Sequence, residues 1–187
     1  VNHLIHAVRN DYPVLFLFHD NQNYGLTTGQ ASSTTPRNIK MNAAPQGVES
    51  DPLTPLQLVL SLNPSFVAQT ISADVDHMTR IIQAGLKHKG FAFVSILQCC
   101  PTYNKQTSNQ WYLENTFDVQ TKEAYDRSDI WDARRIVSET SDKIPLGILY
   151  EDLKKESFSQ IPQDPSREKK LKNPEQKDIA SFLSGLT

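Results

Sequence analysis

The chain has 187 residues, of which 38% are hydrophobic and 21% charged, with a formal net charge of −2. This suits one globular domain with a sizeable core and gives no pull toward nucleic acid or anionic lipid. No apolar run approaches the ~18 residues of a membrane span. The two cysteines, Cys99 and Cys100, are adjacent, which excludes a disulfide framework and makes a reducing cytoplasm the default compartment.

The first ten residues read as a helix already in progress, with Leu4, Ile5 and Val8 on one face. Neither an initiator Met nor a signal-peptide pattern stands before it, so the chain is expected to lack what came earlier. Tyr12 to Phe18 is a short apolar run, read as a strand covered on both faces. A Ser/Thr/Asn/Pro-rich stretch from Thr27 to Asp51 follows, and loops of that length inside a compact domain are usually functional. Thr54 and Pro55 then open a short helix carrying Leu56, Val59 and Leu60.

Ser65 to Ile71 is the next strand. It leads to a helix near Ala73 to His88, striped by Val75, Met78, Ile81, Ile82 and Leu86, with Gly90 as its stop. Phe91 to Leu97 is a third buried strand. Pro101 to Arg127 shows no clear period. Trp131 to Thr140 reads as a helix and Pro145 to Tyr150 as a last strand. Strand–helix alternation with continuous apolar strands predicts an α/β fold, a mostly parallel sheet covered by helices on both faces. The expected division is a domain over residues 1–150 and a charged C-terminal tail over 151–187.

Ligands of such sheets bind at the carboxyl ends of strands, which singles out the segments after Phe18 and after Leu97. The first, HDNQNYGLTTGQASSTTP, supplies hard oxygen ligands of the kind Mg²⁺ favours and a tight turn able to approach a phosphate. It is equally a good turn sequence, in which Asn and Asp bond their own backbone. The second, LQCCPTYN, offers thiolates for a metal centre, or two small apolar residues ending a buried strand. His3 and His6 are expected to pack, His19, His77 and His88 to face solvent or cap helices, and Trp111 and Trp131 to anchor packing.

These motifs together resemble the thiamin-diphosphate-binding (beta) subunit of the 2-oxoacid:ferredoxin oxidoreductases. The residues that carry the likeness are NHLIHAVRN at the start, YGLTTGQ with STTP, DPLTPLQLVLSLNPSFVAQ, HKGFAFVSILQCCPTYN, the Trp111 region and PLGILY, about residues 1 to 150. The resemblance implies that Asn21 ligands Mg²⁺ through its side chain and Asn23 through its backbone carbonyl. Gly25 and Leu26 would lie against thiamin diphosphate, with Thr27 and Gln30 supporting the loop. Leu26 would face the 2-oxoacid and favour an aliphatic chain. Cys100 would be one ligand of a 4Fe-4S cluster, with Cys99 where the family usually has Pro.

The G-D-G-D element that supplies a third magnesium ligand in the family, and the other cluster cysteines that precede it, do not occur in this sequence. The implied reaction is oxidative decarboxylation of a 2-oxoacid to acyl-CoA, with coenzyme A as acceptor and electrons passed to ferredoxin. The implied partner is the alpha/gamma subunit, which supplies the activating glutamate, so no catalytic residue is assigned in this chain. The alternative is a non-catalytic protein that only docks to that partner subunit.

Overall fold

The computed structural model describes residues 2–104, 106–139 and 143–158. Its elements in chain order are α1 (Asn2–Arg9), β1 (Leu15–Asp20), β2 (Asn23–Tyr24), β3 (Gln30–Ala31), α2 (Pro55–Ser61), β4 (Phe66–Ile71) and α3 (Val75–Lys87). There follow β5 (Ala92–Leu97), α4 (Asn109–Glu114), β6 (Thr116–Asp118), α5 (Ile130–Ser138) and β7 (Ile144–Glu151). Five strands form one sheet in the order β1-β5-β4-β7-β6, while β2 and β3 make a small separate hairpin.

The sheet is mostly parallel. β1 pairs with β5 and β5 with β4 in parallel register, whereas β7 runs antiparallel to β4. Alternation along the strands sends side chains to two faces. On one face Val67, Phe93 and Leu149 pack against Val59 and Leu60 of α2, Ala133 and Ile136 of α5, and Val8 of α1. On the other, Phe66, Ala68, Val94 and Ile148 lie beneath Ile81 of α3, with Met78 and Ile82 beside it. β4 and β5 are buried along their whole length, which is why they read as continuous apolar runs.

Several expectations need correction. β1 is the edge strand rather than a strand covered on both faces: Val14, Phe16 and Leu17 are all more than a third exposed. Its apolar run is the same whether or not a neighbour covers it. α2 has Pro at its start as expected, but the Thr54 side chain makes no cap. Asp74, Ser108 and Asp129 cap α3, α4 and α5 through their side chains. Gly90 is not a helix stop, since α3 ends before it. A Cβ there would stand 2.0 Å from Asp11 Oδ2, so only glycine admits the buried carboxylate.

That carboxylate ties three strand starts together. Asp11 Oδ1 accepts from Ser65 Oγ at 2.5 Å and from the Phe91 N–H at 3.2 Å, and His88 Nε2 lies 2.9 Å from the same hydroxyl. The segment without a clear period contains α4 and β6, elements of six and three residues, too short to show one. Trp131 is 68% exposed, with Arg134 stacked on its ring, and is no packing anchor. Trp111 does pack against the core. His3 and His6 are exposed rather than packed. Beyond Glu151, Ser157 is buried and the Phe158 ring meets Tyr12 edge-on at 4.9 Å. Those residues belong to the packed body; residues 159–187 of the expected tail lie outside the described residues.

His77 is also a correction, because it is buried, with Nδ1 2.8 Å from Thr70 Oγ1. Burial lowers its pKa below the ordinary 6.5, although Asp118, 3.9 Å from Nε2, and Asp74 pull the other way and only Arg80 adds to the lowering. Burial lowers His88 likewise, against Asp11, Glu151 and Asp152. A histidine whose folded pKa is depressed contributes stability that is present above 6.5 and lost as pH falls through the folded value, because the unfolded chain takes up protons first. The denaturation midpoint is therefore expected to fall as pH drops from about 7 to about 5. A His77→Gln/His88→Gln variant is expected to lose less of its midpoint over that range in urea melts. An equal loss would place the acid sensitivity elsewhere.

Candidate active site

The register sets the site. Asp20, Leu97 and Ile71 lie level at the carboxyl ends of β1, β5 and β4. The loops after β1 and β5 are therefore launched side by side. The Gln98 N–H donates to the Asp20 carbonyl at 2.9 Å, closing the gap between them.

After β1 the chain is held by its own polar groups. Asp20 Oδ1 accepts from the Gln22 N–H at 3.0 Å and from Thr34 Oγ1 at 2.6 Å. Thr35 Oγ1 donates to the Gln22 carbonyl at 2.6 Å. Asn21 Oδ1 accepts from the Asn23 N–H at 3.2 Å. The Asn23 amide is buried, its Nδ2 donating to the Asn21 carbonyl at 2.9 Å and its Oδ1 accepting from the Gly25 N–H at 3.2 Å.

The turn beyond closes by Thr28 N–H to the Gly25 carbonyl at 3.2 Å and Gly29 N–H to the Tyr24 carbonyl at 3.0 Å. Thr27 Oγ1 donates to Gln30 Oε1 at 2.5 Å. Leu26 stands at the tip, 99% exposed. Such a side chain is available to a ligand or a partner rather than to this chain's core.

After β5, Cys99 is half-buried and Cys100 buried. Burial alone would raise the Cys100 thiol. The backbone N–H groups of Tyr103, Asn104 and Thr102 outweigh it and bring the pKa below the ordinary 9.0. A sulfur surrounded by donors suits a metal-bound thiolate. A cleft of about 580 Å³ is lined in part by Asp20, Gln22, Gln69, Ser95, Trp111 and Tyr112.

The residues singled out from sequence are thus brought together: Asn21, Asn23, Gly25, Leu26, Thr27 and Gln30 share one loop, and the turn that carries Cys100 meets it where Asn104 Nδ2 donates to Gln22 Oε1 at 3.3 Å. Histidines stay outside, His19 being exposed with Nδ1 3.1 Å from Gln98 Oε1. The bracing residues Thr34, Thr35, Tyr103 and Asn104 were not identified as such, although T-T-P and T-Y-N stand in the sequence. The donor set fits a hard cation and a diphosphate at the first loop: an amide oxygen at Asn21, backbone carbonyls, and a glycine-bearing turn. Among the described residues there is no cluster of three His, Cys, Asp or Glu side chains able to hold a metal, so any cation here rests on amide and carbonyl oxygens and on groups from elsewhere.

The mostly parallel sheet with this loop at its carboxyl edge belongs to a thiamin-diphosphate-binding domain. Residues 1–96 match the model of the C-terminal TPP binding domain of thiamine pyrophosphate enzymes, and residues 100–164 that of the C-terminal part of the pyruvate ferredoxin oxidoreductase beta subunit. The beta subunit of 2-oxoacid:ferredoxin oxidoreductase from Sulfolobus sp is 33% identical over 80% of this chain and 52% of its own. The Saccharolobus solfataricus beta subunit is 30% identical over 97% of this chain and 62% of its own. A solved 2-oxoglutarate:ferredoxin oxidoreductase from Magnetococcus marinus, with 2-oxoglutarate, coenzyme A and succinyl-CoA bound, superposes with a TM-score of 0.81 at 26% identity, over 100% of this chain and 62% of that one. The chain belongs to the beta-subunit family of the 2-oxoacid:ferredoxin oxidoreductases. It spans 52% to 62% of the length of these relatives. No helix among the described residues is long and apolar enough to cross a membrane.

Proposed function

We infer that the protein carrying this chain oxidatively decarboxylates a 2-oxoacid. One 2-oxoacid and one coenzyme A give one acyl-CoA, one carbon dioxide and one proton, and two electrons pass singly to two ferredoxins. The observation that carries the reading is the meeting of the two loops, where Asn104 Nδ2 donates to Gln22 Oε1 at 3.3 Å and the Tyr103 ring lies against Gly29. Family membership and the bound molecules of the Magnetococcus marinus protein support it.

Asn21 through Oδ1 and Asn23 through its carbonyl would hold Mg²⁺. Gly25 and Leu26 would lie against thiamin diphosphate, with Thr27 and Gln30 bracing the turn. When bound, thiamin diphosphate supplies a carbanion that attacks the keto carbon and takes up the electrons left by decarboxylation. Leu26, exposed and apolar, would favour an aliphatic substrate chain. Cys100 would give one thiolate to a 4Fe-4S cluster. The glutamate that activates the cofactor would come from an alpha/gamma partner subunit, and the setting would be the cytoplasm, where thiols stay reduced.

The test is reduction of ferredoxin by the assembled holoenzyme with pyruvate, 2-oxobutyrate or 2-oxoglutarate. Turnover is expected to need coenzyme A, Mg²⁺ and thiamin diphosphate together. Reduction that persists without coenzyme A, or none with any 2-oxoacid in a cofactor-loaded enzyme, would overturn the reading.

A further inference from the structure

The polar stretch beyond Pro36 takes no part in the ligand set, yet it is firmly built. Arg37 Nη1 meets Asp51 Oδ1 at 3.1 Å and closes its base. The Asn38 N–H donates to the Val48 carbonyl at 2.8 Å, and the Val48 N–H to the Ile39 carbonyl at 3.0 Å. Met41 and Ala44 exchange both backbone bonds, at 3.1 and 2.9 Å. The Met41 and Val48 side chains are buried. A loop with its ends together and its own side chains packed inside it is a compact mount rather than a slack connection.

Asn42 stands at the tip of this mount, between Met41 and Ala44. Its Nδ2 donates to the Thr28 carbonyl at 2.5 Å, in the candidate cofactor loop. No other donor reaches that carbonyl among the described residues.

Thr28 is where support is needed. Its φ is 74°, in the left-handed region that a β-branched residue rarely enters. Such a backbone persists only where its surroundings over-determine it. The Thr28 side chain is exposed and offers no anchor of its own. Its N–H closes the turn onto the Gly25 carbonyl at 3.2 Å, so a change at Thr28 is passed directly to Gly25 and Leu26.

We propose that Asn42 is a positioning residue for the cofactor loop: its bond to the Thr28 carbonyl offsets the strain at Thr28 and keeps the Gly25–Gly29 turn in the form that receives thiamin diphosphate. The proposal rests on the functional reading above, which sets Gly25 and Leu26 against the cofactor. Without the bond the turn is receptive only part of the time, and apparent affinity falls by that fraction. Asn42 acts through Thr28 and not on the reacting atoms, so turnover at saturating cofactor stays at the wild-type rate.

The experiment is a double-mutant cycle on the assembled holoenzyme, freed of cofactor and titrated with thiamin diphosphate in excess Mg²⁺ by calorimetry. Asn42→Ala is expected to bind roughly tenfold more weakly, with its melting temperature and its rate at saturating cofactor unchanged. Asn42→Asp keeps the shape but has no N–H to donate, and is expected to match alanine. Thr28→Gly alone is expected to stay within about twofold of the wild type, because glycine enters the left-handed region without strain. In the Asn42→Ala background, Thr28→Gly is expected to restore affinity to within about threefold of the wild type.

Wild-type affinity in a folded Asn42→Ala protein would overturn the positioning role, and Asn42→Asp decides the same point should alanine fail to fold. A loss that Thr28→Gly leaves unrepaired would overturn it as well, because the bond would then act somewhere other than on the strained residue. A wild-type holoenzyme that binds no thiamin diphosphate would instead remove the functional reading on which the proposal stands.

Discussion

An Asn21→Ala holoenzyme is expected to lose turnover by at least about a hundredfold while keeping its fold. The side chain is half-buried and its oxygen makes one hydrogen bond, to the Asn23 N–H at 3.2 Å. Removing that contact costs about 1 kcal/mol of stability, a small part of a domain's total. If Asn21 ligands magnesium as proposed, the loss at the metal is far larger, since outer-sphere partners of a metal already cost ~10- to 100-fold when mutated. Asn21→Asp keeps an oxygen in place and is expected to retain more activity than alanine. Thermal melting separates the two effects, and calorimetry with Mg²⁺ reports the site directly. Wild-type thiamin diphosphate affinity in a folded Asn21→Ala variant would remove Asn21 from the metal site.

The second large effect concerns the adjacent cysteines. If Cys100 ligands a cluster as proposed, Cys100→Ser should strip the holoenzyme of most of its cluster iron and visible absorption, because a hydroxyl is a far poorer iron ligand than a thiolate. Cys100 is buried, and the backbone N–H groups of Tyr103, Asn104 and Thr102 hold its thiol below the ordinary 9.0. Cys99→Pro should be tolerated. The Cys99 N–H makes no backbone hydrogen bond among the described residues, so the donor that proline lacks is not missed. Comparable iron loss in both variants would mean that both cysteines matter.

What could be read from sequence followed from burial. β4 and β5 are covered on both faces, so Phe66–Ile71 and Ala92–Leu97 are continuous apolar runs. α3 is long enough for its stripe to repeat. The candidate ligands were legible because Asn21 and Asn23 sit in an unusual run of amides just past a strand. Residues acting through long-range contact were not. Asn104 and Gln22 are 82 residues apart and meet only because β5 lies beside β1. Nothing local in T-T-P announces that Thr34 will bond Asp20. His77 looked like a solvent or cap residue because its partner, Thr70, lies on a strand that only the folded sheet brings beneath it.

The place of β1 at the sheet edge has a consequence for exchange and local opening. Every second amide of an edge strand points away from its single neighbour, so β1 is held by half the ladder that holds β5. Local unfolding free energies are lowest in such elements. The candidate ligand loop, which begins at Asp20, therefore hangs from an edge strand. Any segment or partner that pairs with the outer side of β1 raises the free energy of opening the loop without touching it. Amide protection at Phe16 to Asp20 then reads out edge occupancy and loop order as one quantity.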